Sequence, residues 1–303
     1  MSVAAVGRPA LDVSTALLPP RRSRGAAFAQ RYSRNRAAVL GGVIVLAMIV
    51  AAVLADVVSP YPPDQQLADQ ALQPPSLRHL LGTDQIGRDQ LARIIFGARA
   101  SIGVGVVSMV IAAAIGIPGG LVAGYYGRRI DTIVMRVMDG LLAFPALLLA
   151  IFIVAVLGPS ILNAILAVAI VNIPSFARLT RAQTLSIREK EFVEATRALG
   201  ARDGRIMATA VFPNCLSALV VQFTLGIGLG ILVEAGLSFL GLGVRPPTPA
   251  WGSMLSTGRQ LISLAPWLST FPGLAIFLAV LGFNLVGDGL REALDPRLRE
   301  VLR

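Results

Sequence analysis

Residues 101–126 read SIGVGVVSMVIAAAIGIPGGLVAGYY, a stretch without one charged side chain. It exceeds the roughly 20 residues that an α-helix, rising about 1.5 Å per residue, needs to cross a bilayer. Outward from it, five further apolar runs occur at about 37–58, 138–157, 161–177, 216–240 and 270–287. The fourth is short and ends around Pro174. None shows the ten-residue alternation of a membrane β-barrel, so the expected fold is all-α, a polytopic membrane helix bundle with about six transmembrane helices. Composition agrees: 55% of the 303 residues are hydrophobic, 15% are charged and the mean hydropathy is +0.72, which leaves too few polar residues for the shell of a soluble protein. Disordered chains and secreted disulfide scaffolds are excluded as well. Cys215 is the only cysteine, and its expected role is that of a small apolar packing residue.

The net charge of +10, from 27 Lys and Arg against 17 Asp and Glu, sits in blocks at the ends of the apolar runs rather than in a stripe interleaved with aromatics. That distribution suits loops retained on the cytoplasmic side, and no nucleic-acid partner is expected. Basic residues crowd the segment before residue 37, the connection after residue 126, the connection between runs four and five, and the C-terminal end; the opposite loops hold only Arg78, Arg88, Arg93, Arg99, Arg245 and Arg259. Both ends and the long loop at 178–213 are therefore expected in the cytoplasm of a bacterial cell, with the chain in its plasma membrane. The organisation reads as a basic tail at 1–36 touching anionic lipid, a first span with an extracytoplasmic segment at 37–100, a transmembrane core at 101–287 that includes the 178–213 loop, and a cytoplasmic tail at 288–303. The first 36 residues hold no short apolar core of the signal-peptide kind, so the first span reads as an uncleaved anchor.

The 178–213 loop carries helix signals of its own. Ser186-Ile187-Arg188-Glu189 fits a capping box, Phe192, Ala195 and Leu199 recur at helical spacing, Gly200 suits a left-handed helix end, Asp203 suits the cap of another helix, and Pro213 closes that second piece. The reading is helix, turn, short helix, then membrane. Spacing leaves two uses open: an amphipathic hairpin lying on lipid, or an apolar helix face inserted into a groove on a cytoplasmic partner.

A phosphate-binding Walker loop requires a lysine after a glycine-rich turn, yet the single lysine, Lys190, lies between Glu189 and Glu191 with no such turn before it. Any nucleotide-driven energy must then come from another polypeptide. One His and one Cys cannot build a His/Cys metal site, so no metal or cofactor is expected on this chain, and His79 reads as a surface histidine. Gly226, Gly228 and Gly230 lie inside a span and read as close-packing positions, like Gly120 and Gly124. Two ionisable residues within spans require partners, because charge is costly in hydrocarbon. Asp139, at the cytoplasmic start of the third run, is expected to pair with Arg136, with a place on the pathway or at a subunit interface also open. Glu234, deeper in the fifth, should face a partner subunit or a wet cavity, with structural bonding and pathway lining both open. Pro118, Pro145 and Pro174 each interrupt a span and favour kinks or cavity lining.

Glu194-Ala195-Thr196, then Gly200, then Phe212-Pro213 resembles the EAA loop of ABC-importer permeases, whose pattern is Glu-Ala-Ala, three residues, Gly, nine residues, then Ile-x-Leu-Pro. The spacing from Glu194 to Gly200 to Pro213 matches without a gap, while Thr196, Ala210 and Phe212 replace Ala, Ile and Leu. Three more blocks are similar to the C-type permeases of dipeptide, oligopeptide and nickel importers: His79-Leu80-Leu81-Gly82-Thr83-Asp84 with Gly87-Arg88-Asp89, the stretch from Glu234 to Gly243 with Pro246-Pro247-Thr248-Pro249-Ala250-Trp251-Gly252, and Phe283 to Arg291 with Leu294-Asp295-Pro296-Arg297. The resemblance covers about 79–299. It implies a non-catalytic permease subunit that imports short peptides beside a homologous B-type permease, with two cytoplasmic ATPases carrying ATP and Mg, and a solute-binding protein outside. Nickel or other small solutes would be imported by the same mechanism; an ion-coupled secondary transporter would need more mid-span charge than this chain holds. By the same resemblance Glu194, Ala195, Thr196, Gly200, Ala201, Asp203 and Pro213 couple to the ATPases, with Glu194 holding the loop or making a charged contact and Gly200 allowing the sharp turn.

Overall fold

A computed structural model describes residues 24–294. The expected tail before Arg24 and the Asp295-Pro296-Arg297 block lie outside the described residues. In chain order the helices are α1 (Arg24–Arg34), α2 (Arg36–Val53), α3 (Ala55–Val58), α4 (Gln90–Tyr126), α5 (Arg128–Leu142), α6 (Ala146–Leu157), α7 (Ile161–Ile187), α8 (Glu191–Ala198), α9 (Asp203–Ile206), α10 (Phe212–Phe239), α11 (Trp251–Gln260) and α12 (Trp267–Leu294). Among the described residues, five membrane-crossing helices form by length and composition, or six if α5 and α6 count as one broken span.

Four boundaries differ from the sequence reading. The region before residue 37 is not all tail, because α1 is helical from Arg24 and the Asn35 side chain donates to Glu292 at 2.6 Å, pinning it beside α12. The third run is not one continuous span: α5 and α6 meet at a bend of 88°. Pro145 causes it, since the ring of a proline forces the preceding residue, here Phe144, out of helical geometry. The fourth run does not end at Pro174. Helix α7 carries that proline, buried, and continues to Ile187, so Arg178 and Arg181 stand on the helix rather than in a loop. Finally, α12 runs on to Leu294, past the expected tail boundary at 288.

Close backbone contact holds the core. On α4, Gly116, Gly120 and Gly124 recur every four residues and lie against Ile173 and Phe176, Ala177 and Thr180, and Arg181 and Thr184 of α7. Small residues at such spacing let two helices approach until their backbones touch, which is how helices gain packing energy in lipid. Gly105 and Gly230 bring α4 and α10 together similarly, and Met109 fills the space beside Gly226, as expected for that glycine cluster. Cys215 is buried, its thiol directed at the Val211 carbonyl.

Helix α4 is 37 residues long, about 55 Å, far more than a bilayer requires. Its first turns project into a compact segment formed by residues 59–89. There His79 corrects the expectation of a surface side chain: it is 1% exposed, with Nδ1 2.9 Å from Asp89 and Nε2 2.8 Å from Gln70. Asp89 also accepts from the Ala92 amide at 2.8 Å, capping α4. One buried cluster thus fixes both the segment and the helix start, a role that a lone histidine in sequence could not reveal.

Candidate functional site

At the end of the bundle opposite residues 59–89, the chain leaves α7 and folds α8 and α9 across the exit of α4. The proposed capping box does not form: Ser186 and Ile187 close α7, Arg188 is its C-terminal cap, and Lys190 precedes α8 without a side-chain cap bond. The Arg188 guanidinium instead reaches the Gly124 carbonyl at 2.8 Å and that of Tyr125 at 3.2 Å. A cation there satisfies carbonyls left open at a helix C-terminus.

Gly200 turns the chain after α8 with φ of +80°, and the Gly200 amide donates to the Arg197 carbonyl at 2.9 Å, the left-handed exit expected of it. Asp203 does not cap α9. Its carboxylate accepts from the Tyr125 hydroxyl at 2.8 Å, while Arg197 lies over the same ring at 6.0 Å. Nor does Pro213 end a helical piece: the helix runs from Asp203 to Phe239 through a π-turn at Met207–Val211, and Pro213 stands at the start of α10, where its missing N–H is tolerated.

The two faces of α8 differ. Val193 and, on α9, Ile206 are 0% exposed and lock the loop to the bundle. Phe192, Ala195 and Leu199, the positions whose spacing signals the helix, point outward, with Phe192 42% and Leu199 88% exposed. Glu194 is exposed on the same unit and its side chain makes no hydrogen bond or ion pair to the described residues, Thr196 donates to the Phe192 carbonyl at 2.7 Å, and Ala201 packs half-buried on the core. The structure brings Tyr125, Arg188 and Arg197 to the site. Sequence spacing missed them because their partners lie 63 to 78 positions away.

Asp139 pairs with Arg178 at 2.6 Å, not with Arg136. Arg136 and Asp139 share one side of α5, yet it is the Arg178 side chain that reaches across from α7 to the carboxylate. Glu234 is 0% exposed and sits inside the chain rather than on a subunit-facing surface. Its Oε1 accepts from Ser238 at 2.6 Å, the Ser238 hydroxyl accepts from the Val244 amide at 3.2 Å, and Oε2 has no partner among the described residues. Glu234 therefore anchors the segment after α10. Nearby, Trp251 is held through its amide to Ser101 at 3.2 Å and through its indole to the Ile94 carbonyl at 3.0 Å. In Glu234→Ala the acceptor for Ser238 disappears, a loss of about 1–3 kcal/mol for a buried hydrogen bond. Hydrogen exchange at Val244 should accelerate in that variant and stay close to wild type in Glu234→Gln, which keeps the acceptor oxygen; equal exchange in all three proteins would remove the anchoring role.

Residues 116–300 match the family described as binding-protein-dependent transport system inner membrane component, and residues 23–75 match the N-terminal transmembrane domain of oligopeptide transport permease C. The chain is 47% identical to the dipeptide transport system permease protein of Alkalihalophilus pseudofirmus, over 96% of this chain and 94% of that one. It is 46% identical to a di/tripeptide transport system permease protein of Pseudomonas aeruginosa, over 96% and 97%, and 45% identical to a glutathione transport system permease protein of Pectobacterium atrosepticum, over 90% and 91%. Among solved structures, inward-facing conformations of the MetNI methionine ABC transporter align with a TM-score of 0.54 at 18% identity, covering 70% of this chain and 96% of that chain. That likeness is one of fold.

Proposed function

The chain belongs to the family of binding-protein-dependent transport system inner membrane components, and from that premise we propose that it is the C-type permease subunit of an ATP-driven importer of short peptides. A homologous B-type permease completes the pathway, a solute-binding protein delivers peptide from outside, and two ATPases, which carry the ATP and Mg, dock on α8 and α9 from the cytoplasm. Both termini then face the cytoplasm of a bacterial cell, and no bond is made or broken on this chain.

One observation carries the reading: a small helical unit, locked to the bundle on one side by Val193 and Ile206, presents Phe192, Leu199 and a Glu194 carboxylate without a partner among the described residues on the other. A hydrophobic knob beside a free charge suits a groove on a protein partner. Because the unit is continuous with α10 through the π-turn and tied to α4 by Tyr125 and Arg188, force on it reaches two core helices directly. ATP binding need only favour one of two bundle arrangements to give alternating access. The relatives are named dipeptide, di/tripeptide and glutathione permeases, which supports peptide over nickel.

Proteoliposomes holding this chain, its partner permease, the ATPases and the binding protein should accumulate dipeptide only when ATP is on the side of residues 188–206. Uptake by this chain without a nucleotide-hydrolysing companion, or labelling of residues 188–206 from outside the cell, would overturn the proposal.

A further inference from the structure

Most outward surfaces of the spans are apolar, as lipid demands: Leu40, Val43 and Leu46 on α2, Leu274 and Phe277 on α12. One face is different. On α5, Arg128, Thr132, Arg136 and Asp139 are spaced four, four and three residues apart and so share a side of the helix, and all are exposed. On α7, Ser175, Arg178, Ala182 and Ser186 follow the same rule and are half-buried or exposed, whereas Ile173, Ala177, Thr180 and Thr184, which meet α4, are buried. The two strips join where Arg178 donates to Asp139, and both side chains of that pair remain about half exposed, at 52% and 55%. On the other flank of the α7 strip lies a cleft of about 500 Å³ whose polar lining is Gln183 of α7, Ser217 and Gln222 of α10, and Arg291 of α12, set among apolar residues such as Leu179 and Leu225. None of these four side chains makes a hydrogen bond or ion pair with another described residue.

Against hydrocarbon, a half-exposed ion pair beside four polar side chains with no partner among the described residues would be unfavourable, and polar groups of this kind face protein or a wet cavity. Asp139 lies about 16 Å along α5 from Arg128, and Arg178 about 26 Å along α7 from Ile161. Resting on the peptide-import reading above, we infer that the surface running from Asp139 and Arg178 across to Gln183 and Gln222 is the wall of the translocation pathway, and that it handles the substrate as a zwitterion. Asp139 receives the peptide ammonium, Arg178 its carboxylate, and the two glutamines its amide. The chemistry on the surface favours this occupant over lipid: it offers both signs of charge and amide donors and acceptors. The cleft also falls in the roughly 300–1,000 Å³ range of small-molecule sites.

The test uses the complete importer in proteoliposomes. Ala182→Cys and Gln222→Cys are treated with a charged, water-soluble maleimide from the side of residues 188–206; Cys215, 0% exposed, adds no background. Both positions should react in the nucleotide-free complex. Asp139→Asn and Arg178→Gln should each lower uptake of a free dipeptide about tenfold, as for loss of one charge-assisted contact, while an N-acetylated, C-amidated dipeptide is affected far less. The exchanged pair, Asp139→Arg with Arg178→Asp, separates substrate contact from structure: it restores an ion pair, so recovery of uptake would mark the pair as merely structural and overturn the inference. Disulfide trapping of Ala182→Cys to the partner permease would overturn it in favour of a subunit interface, and labelling by lipid-soluble reagents alone in favour of lipid. Absence of dipeptide uptake by the wild-type complex would overturn the peptide-import reading itself, whereas normal wild-type uptake with indifferent variants would sink only the pathway wall.

Discussion

Leu199→Asp is expected to leave the chain folded and inserted yet uncouple it, lowering ATP-dependent uptake about thirtyfold. At 88% exposure Leu199 contributes little to the stability of its own subunit, and surface changes of this kind shift folding by only about 0.5 kcal/mol. In the proposed docked complex the same side chain, at the C-cap of α8, is the apolar knob, and truncation of a buried interface anchor costs about 2 kcal/mol or more, which is about thirtyfold in affinity. Replacing it with a carboxylate adds the desolvation of a charge. Gly200→Val should act on the same step by a different route. No atom lies within 4 Å of the Cβ it would introduce, so no clash arises; the penalty is that of forcing a β-branched residue to φ of +80°, about 1–2 kcal/mol. Gly200→Asn, which tolerates that conformation, should recover most of the loss. The measurements are binding-protein-stimulated ATPase rate, uptake and co-purification of the ATPases. Full co-purification and uptake with Leu199→Asp would mean that α8 docks nothing.

Gly120→Leu is expected to fail earlier, at assembly of the bundle. A Cβ at that position runs into the Ala177 carbonyl and lies 2.9 Å from Thr180 Cβ, and a backbone cannot step aside as a flexible side chain can. Overpacking a fitted interface costs about 1–3 kcal/mol, and here two helices in backbone contact would have to part. Gly103→Ala, on the same α4 but with nothing within 4 Å of the new methyl, should be neutral. Membrane-fraction abundance and the thermal aggregation midpoint of the two variants provide the comparison; equal values would show that α4 and α7 do not depend on backbone contact at Gly120.

Particular residues show how far sequence reading went. Gly200 and the Glu194-to-Pro213 spacing are local features, and the turn they signal is present because φ is decided within one residue of the glycine. Phe192, Ala195 and Leu199 correctly marked a helix but not which way it faces, since a periodic stripe is equally consistent with burial in lipid, in the bundle or in a partner. Pro174 misled: a proline in a span reads as an end, yet α7 passes through it because packing of Ile173, Phe176 and Ala177 on the α4 glycines outweighs one lost backbone hydrogen bond. Pro145, expected to kink its span, does break it, and α5 on the near side of the bend buries no residue that would hold it straight.

From sequence alone came the number of apolar runs, their all-helical character and the location of the loop between the fourth and fifth, because hydropathy, helical rise and glycine backbone freedom act within a few residues. Tertiary structure alone decided that Asp139 meets Arg178, that His79 and Glu234 lie buried as anchors, and that α8 turns its Leu199 side outward. Those outcomes depend on which helices touch, a matter of close glycine packing and long side chains reaching between segments dozens of residues apart, and no periodicity in one segment records what stands across from it.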